Sequence, residues 1–229
     1  SRRVWLFDLD NTLHDAGSHV FPELKRSMSA YVQRELQVDA AEAERLRREY
    51  LQRYGATLLG LVRHHGVRPA HFLHDTHQLP ELAQHLRCHA RDMAAVRRLP
   101  GRKLILTNAP REYALRVLRL LGIAGLFDAV LSIEDMHMFG HLRPKPDARM
   151  LRRMAVRLKV RPGQCTLVED TLVHQKAAHG IGMRTVWMQR FIRHGAPAHA
   201  TGGQVPRWGR RPVYVGCNVR SLMGLTRHT

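Results

Sequence analysis

Short, nearly continuous apolar runs punctuate this chain, and three of them stop abruptly at polar residues. Val4-Trp5-Leu6-Phe7 stops at Asp8, Lys103-Leu104-Ile105-Leu106 at Thr107-Asn108, and Cys165-Thr166-Leu167-Val168 at Glu169-Asp170. Runs without polar alternation mark strands buried on both faces, as in a parallel sheet. Ala129–Ser132 and Arg184–Trp187 are two further candidates. Helical spacing fills the gaps, over Arg111–Leu121 closed by Gly122, Pro146–Val160, and Leu172–His179 closed by Gly180. Strands alternating with helices predict an α/β fold built on a doubly wound parallel sheet.

One long stretch breaks the alternation. After the first strand the apolar period turns helical, with Leu24, Met28, Tyr31, Val32 and Leu36 on one stripe behind Pro22. A second helix is predicted from about Ala40 to Tyr54. Gly55 and Gly60 bracket a loop, and helical signals return over Leu58–His65 and Leu79–Leu99. The expected organisation is therefore a core of residues 1–15 and 97–190, with a helical cap of residues 16–96 inserted into it. Residues 191–229 form a Gly-, Pro- and Arg-rich tail, packed on the core or trailing from it. Its apolar anchors are Val213-Tyr214-Val215 and Leu222-Met223.

Composition narrows the class. The chain has 229 residues, 44% hydrophobic, which excludes a disordered polycation despite a formal charge of +18. The charge is uneven: −1 over residues 1–15, +2 over 16–96, +11 over 97–190 and +6 over 191–229. Such a field attracts anions, whether small phosphates or nucleic acid, although an Arg-rich solvated surface is the plainer reading. No stretch approaches the ~20 apolar residues needed to cross a bilayer. The acidic turn at Asp8 predicts no signal peptide. Three distant cysteines, Cys88, Cys165 and Cys217, predict no disulfide framework and a cytoplasmic setting.

Ligands of open parallel sheets bind at the carboxyl ends of the strands. There this sequence places Asp8 and Asp10, Thr107 and Asn108, and Glu169 and Asp170, with Lys145 ahead of a helix. Phosphoryl transfer needs such parts: a nucleophile, a proton donor, cations, and donors for the phosphoryl oxygens. Each piece alone has a plainer reading. The aspartates could form a turn, Thr107-Asn108 could cap a helix, Lys145 could be a surface residue, and Glu169-Asp170 could open a helix. Together and in this order those readings lose their force.

Phe7-Asp8-Leu9-Asp10-Asn11-Thr12-Leu13 resembles the first motif of the haloacid dehalogenase superfamily. Leu106-Thr107-Asn108-Ala109, Lys145 between two prolines, and Val168-Glu169-Asp170-Thr171 resemble its other three, over residues 4–190. The helical insert resembles that superfamily's helical cap. The wording Asp8–His14, Tyr54–Leu61 and Leu106–Pro110 looks most like the pyrimidine 5′-nucleotidase branch. This resemblance implies a Rossmann-like core and a Mg2+-dependent phosphomonoesterase working through an aspartyl phosphate. Asp8 is the implied nucleophile and Asp10 the acid and base. Thr107, Asn108 and Lys145 are the implied phosphate binders. Asp8, the Asp10 carbonyl and Asp170 would hold Mg2+, with Glu169 a ligand or a supporting carboxylate. The substrate is expected to be a small phosphorylated metabolite, with a pyrimidine nucleoside 5′-monophosphate first and a sugar phosphate as the alternative. The protein is expected to act as a monomer or homodimer.

One feature departs from that picture. His174 stands where related families often carry Asn or Asp, which bears on metal affinity. The cluster His64, His65, His71, His74, His77, His85 and His89 fits no closed zinc pattern and reads as a polar cap face. Substrate choice is expected from His14 and from the Gly55, Thr57 and Gly60 loop of the cap. The rival from another class, a nucleic-acid binder that kept the fold, lacks aromatic platforms, at 6% aromatic residues.

Overall fold

β1 (Val4–Phe7) is buried along its whole length, as its unbroken apolar run requires. A computed structural model describes residues 3–192 and 211–228. In it β1 lies at the centre of a six-stranded sheet, paired in parallel with β2 (Arg102–Leu106) and with β6 (Cys165–Glu169). β3 (Ala129–Leu131) lies outside β2, and β7 (Arg184–Met188) and β8 (Cys217–Val219) lie outside β6, all parallel. Phe7 pairs with Ile105 on one side and with Val168 on the other. That register brings Asp8, Thr107 and Glu169 to one edge.

Side chains of successive strand residues point to opposite faces. Trp5, Phe7, Ile105, Val168 and Val186 enter one core cluster, and Val4, Leu6, Leu104, Leu106 and Leu167 enter another. The first is covered by α6 (Ala90–Arg98), α7 (Arg111–Leu120) and a terminal 3-10 turn (Leu222–His228), the second by α8 (Ala148–Arg157) and α9 (Leu172–His179). The fold is therefore doubly wound α/β. α8 starts at Ala148 rather than Pro146 because the Asp147 carboxylate accepts the free N–H groups of Arg149 and Met150. A hairpin of β4 (His137–Met138) and β5 (His141–Leu142) stands outside this sheet.

The cap consists of α1 (Val20–Leu36), α2 (Ala40–Tyr54), α3 (Thr57–His65) and α4 (Pro69–Thr76). Tyr31, Val32, Leu46, Tyr50, Leu58, Leu61, Phe72 and Leu73 give it a core of its own. α4 was absent from the sequence reading. It begins on Pro69, whose missing N–H would have had no helical partner, and it buries Phe72, Leu73 and Thr76.

Two expectations about the cap are corrected. The expected helix over Leu79–Leu99 is α5 (Leu82–His85), an extended link, then α6. A single straight helix would hold Leu79 and Leu99 about 30 Å apart. The break instead lets Leu79, Leu82, Leu86, Met93, Val96 and Leu99 share one cluster on the sheet. The expected Gly55–Gly60 loop shrinks to Gly55 and Ala56, because Gly60 lies inside α3 under the Tyr50 ring. A Cβ at Gly60 would lie 2.1 Å from the Tyr50 ring. Gly60→Ala is therefore expected to destabilise the protein by about 1–3 kcal/mol in urea unfolding. Helix propensity alone predicts a gain of up to ~1 kcal/mol, so the sign of the change decides between the two effects.

Part of the tail belongs to the core. β8 extends the sheet, Val215, Leu222 and Leu225 are buried, and Asp92 of α6 binds both Ser221 and Arg190. Val213 is 97% exposed and Met223 faces solvent, so those two expected anchors are not anchors. Residues 193–210 and 229 of the expected tail lie outside the described residues.

Candidate active site

Asp8 follows the last residue of β1, and its N–H donates to the Val168 carbonyl, which fixes the first residue beyond the strand. Its Oδ1 accepts from Lys145 Nζ at 2.7 Å, and the same ammonium donates to Glu169 Oε2 at 2.7 Å. Lys145 is only 2% exposed. One buried cation thus bridges two carboxylates from neighbouring strand ends. A third, Asp170, offers an oxygen to the same group, and ligand atoms of Asp8, Glu169 and Asp170 all lie within 4.8 Å of one another.

The charges do not balance, and the proton affinities show it. Burial and then the Glu169 carboxylate push Asp8 up to about 8, against the pull of Lys145. Burial, Glu169 and Asp8 push Asp170 well up. Burial works against ionised Glu169 too, but Lys145 and then His174 outweigh it and hold that carboxyl well below its usual range. Burial likewise opposes charge on Lys145, yet Asp8 and Glu169 raise it. An all-oxygen set with surplus negative charge suits a hard divalent cation such as Mg2+. Both Glu169 oxygens are engaged, Oε2 by Lys145 and Oε1 by the Thr171 N–H. Asp8 and Asp170 therefore have the greater capacity left for a metal.

The structure also places the other expected residues. Thr107 is buried at the end of β2; its oxygen accepts from the Ala109 N–H, leaving its own hydrogen to donate. The Asn108 side-chain amide donates to the Lys145 carbonyl and accepts the Lys145 N–H, each at 2.9 Å, so it holds Lys145 in place. Asp10 remains partly exposed and is bound by Tyr113 and His14. His14 is fully buried, so it presents no face to a leaving group. Thr57 is buried and donates to the Arg47 carbonyl within the cap. Gly60 is covered by Tyr50, and Gly55 is the left-handed cap of α2.

A cavity of about 400 Å³ opens between α4, α7 and the β4–β5 hairpin. Tyr113 and His77 form its wall toward Asp10, and Leu73, His74, Arg116 and Glu134 also line it. Burial pushes His77 down to about 4, so its ring is neutral at pH 7. Tyr113 was missed in the sequence because it falls on the apolar stripe of α7, where a core residue is expected.

A family model described as "Hydrolase: haloacid dehalogenase-like hydrolase" matches residues 3–182. The chain belongs to that family. As a haloacid dehalogenase-like hydrolase it is 32% identical to Phosphate metabolism protein 8 of Saccharomyces cerevisiae over 141 residues. That match covers 57% of this chain and 43% of the relative, so the chain spans less than half of the relative's length. Among solved structures it resembles the HAD phosphatase from Thermococcus onnurineus, with a TM-score of 0.63 and 21% identity over 99% of this chain and 97% of the other. It also resembles the HAD-hydrolase YfnB of Bacillus subtilis bound to magnesium, with a TM-score of 0.60 and 15% identity over 99% and 97%. These likenesses concern the fold.

Within this haloacid dehalogenase-like hydrolase, His174 has a visible position. Its Nδ1 lies 3.1 Å from Glu169 Oε2 but outside hydrogen-bond geometry. Gln175, also missed in the sequence, donates to the carbonyls of Glu169 and Val186 and fixes the acidic strand end. No helix among the described residues is long and apolar enough to cross a membrane.

Proposed function

We propose that this hydrolase is a Mg2+-dependent phosphomonoesterase acting through an aspartyl phosphate. The observation that carries this reading is the Asp8–Lys145–Glu169 bridge beside Asp170 at the carboxyl edge of the sheet. The Asp8 carboxylate attacks phosphorus as the ester P–O bond breaks, and Asp10 gives its proton to the leaving oxygen. Water then attacks the phospho-enzyme, returns a proton to Asp10, and releases phosphate and the Asp8 carboxylate. Lys145 neutralises a phosphoryl oxygen, and the Thr107 hydroxyl donates to another. Mg2+, held by Asp8 and Asp170 with the Asp10 carbonyl, would keep Asp8 ionised and screen the phosphate charge.

The substrate class we propose is a small phosphorylated metabolite, with a pyrimidine nucleoside 5′-monophosphate first. The wording around Asp8–His14 and Leu106–Pro110 supports it, as does a cavity of about 400 Å³ next to the acid–base residue. Three cysteines that form no disulfide suit a cytoplasmic setting.

The test is a screen over nucleoside monophosphates and sugar phosphates with Mg2+. Release of phosphate, fastest from pyrimidine nucleotides, is the expected result; no turnover of any ester would refute the reading. Chelation should abolish turnover and Mg2+ restore it. Mg2+ at 100 times its Kd should add about 2.7 kcal/mol to stability, and Asp170→Asn should remove most of that gain.

A further inference from the structure

A carboxyl group that works as acid and then as base must present one particular oxygen to the leaving group. Asp10 has two chemically equivalent oxygens, and this chain treats them differently. Tyr113 O–H donates to Oδ1 at 2.7 Å, and His14 Nε2 lies 3.0 Å from the same Oδ1. Among the described residues no hydrogen bond reaches Oδ2. When Asp10 is protonated, the two partners crowd Oδ1, so the proton resides on Oδ2. When Asp10 is ionised, Oδ2 is the oxygen left open to water.

Both partners are themselves held. Tyr113 is 3% exposed on the first turns of α7, and the His77 ring packs against it in a T-shaped pair, 5.6 Å between centroids. His77 is anchored in turn by Nδ1 to the Leu73 carbonyl of α4 at 3.0 Å. His14 has no exposed surface, and a backbone bridge joins it to Asp10. Its Nδ1 is buried and has no partner among the described residues. Among the described residues the Asp10 carboxylate is thus the one hydrogen-bond partner of this ring, and Nε2, facing it, carries the proton. Burying an imidazole nitrogen without a partner costs stability, so the arrangement is not one that stability alone would favour.

We propose that Tyr113 and His14 are positioning residues that reserve Oδ2 of Asp10 for proton transfer to and from the reacting oxygens. The assignment rests on the phosphomonoesterase reading above. It also moves His14 from the substrate-selecting role expected of it to a role behind the acid.

General acid help matters most when the departing oxygen is a poor leaving group. The experiment therefore measures kcat and KM with Mg2+ over aryl phosphates of similar size, from p-nitrophenyl through phenyl to p-methoxyphenyl phosphate. Tyr113→Phe removes one oxygen atom and keeps the buried ring. The expected loss in kcat is about 3-fold for p-nitrophenyl phosphate, rising to about 30-fold for p-methoxyphenyl phosphate, within the 10²–10⁴-fold total of acid–base catalysis. KM should stay within about 2-fold. His14→Leu should steepen the same dependence. His14→Gln, whose amide reaches the position of Nε2, should restore most of it, even if either variant melts below wild type. A loss equal across all the esters, or one confined to KM, would overturn the positioning role while leaving the phosphatase reading intact. A wild-type protein inert on every ester would overturn both.

Discussion

Asp8→Asn is expected to lower phosphatase turnover by about 10⁴-fold or more, because removal of the atom that attacks phosphorus leaves only binding and electrostatic help. The same change should not weaken the fold. Asp8 is pushed up to about 8 by burial and by Glu169. A carboxyl raised in the fold contributes its stability below its ordinary value near 3.8, and that contribution is lost as pH rises toward 8. In metal-free buffer the variant should therefore match wild type near pH 4 and melt above it by pH 8. A gain of about 1 kcal/mol corresponds to roughly 2–4 °C for a chain of this size. Calorimetry at the two pH values with a chelator measures it. A variant that melts lower than wild type at pH 8 would show that Asp8 is not the crowded anion the geometry describes. Activity and stability pull in opposite directions at a site built to hold excess negative charge.

The residues that carry this chemistry were legible because they stand where the apolar pattern fails. Asp8 ends a four-residue buried run, and Glu169 closes β6, so each polar residue is conspicuous against its strand. α2 and α9 were likewise bounded correctly, with Gly180 closing the second; in the structure Asp39 and Gly55 cap the first. What could not be read is what depends on tertiary packing. The break at residues 86–89 lets the apolar residues on either side of it share one cluster on the sheet. Tyr113 looks apolar on its helix and declares its hydroxyl only when Asp10 arrives from 103 positions away. Asn108 could have faced phosphate or Lys145, and no local pattern separates the two. β8 was hidden because three residues between polar neighbours become a strand only beside β7. The charge was readable only in part. Residues 97–190 carry +11, yet the site itself holds more carboxylates than cations, and Lys145 is the buried exception.

That exception makes Lys145→Met the most damaging substitution. The ammonium is buried and donates to two carboxylates at 2.7 Å each, while Asn108 pins its backbone from both sides. Methionine of similar length fills the space but leaves Asp8, Glu169 and Asp170 facing one another without a counter-charge. Removing one partner of a buried pair costs about 3–5 kcal/mol, or roughly 6–20 °C in Tm here. Turnover should fall by about 10³-fold or more, since the nucleophile is misplaced and a phosphoryl oxygen loses its cation. The pH dependence has a definite sign. In wild type Glu169 is held low, so its contribution persists above its ordinary value near 4.5 and is lost only as pH falls through the depressed value. In the variant the same carboxyl is buried with only His174 beside it, its proton affinity rises, and stability drains away as pH increases. The gap between the two proteins should be widest at pH 8 and narrow toward pH 4. Adding Glu169→Gln to Lys145→Met removes the stranded charge and should recover most of the lost Tm but none of the turnover. Thermal melts of the four proteins of this cycle, in chelator at pH 5 and pH 8, read the coupling directly. A single variant as stable as wild type at pH 8 would mean that Lys145 does not neutralise the strand ends. Arginine should not replace it, because a planar fork cannot occupy the space of a point charge between two carboxylates.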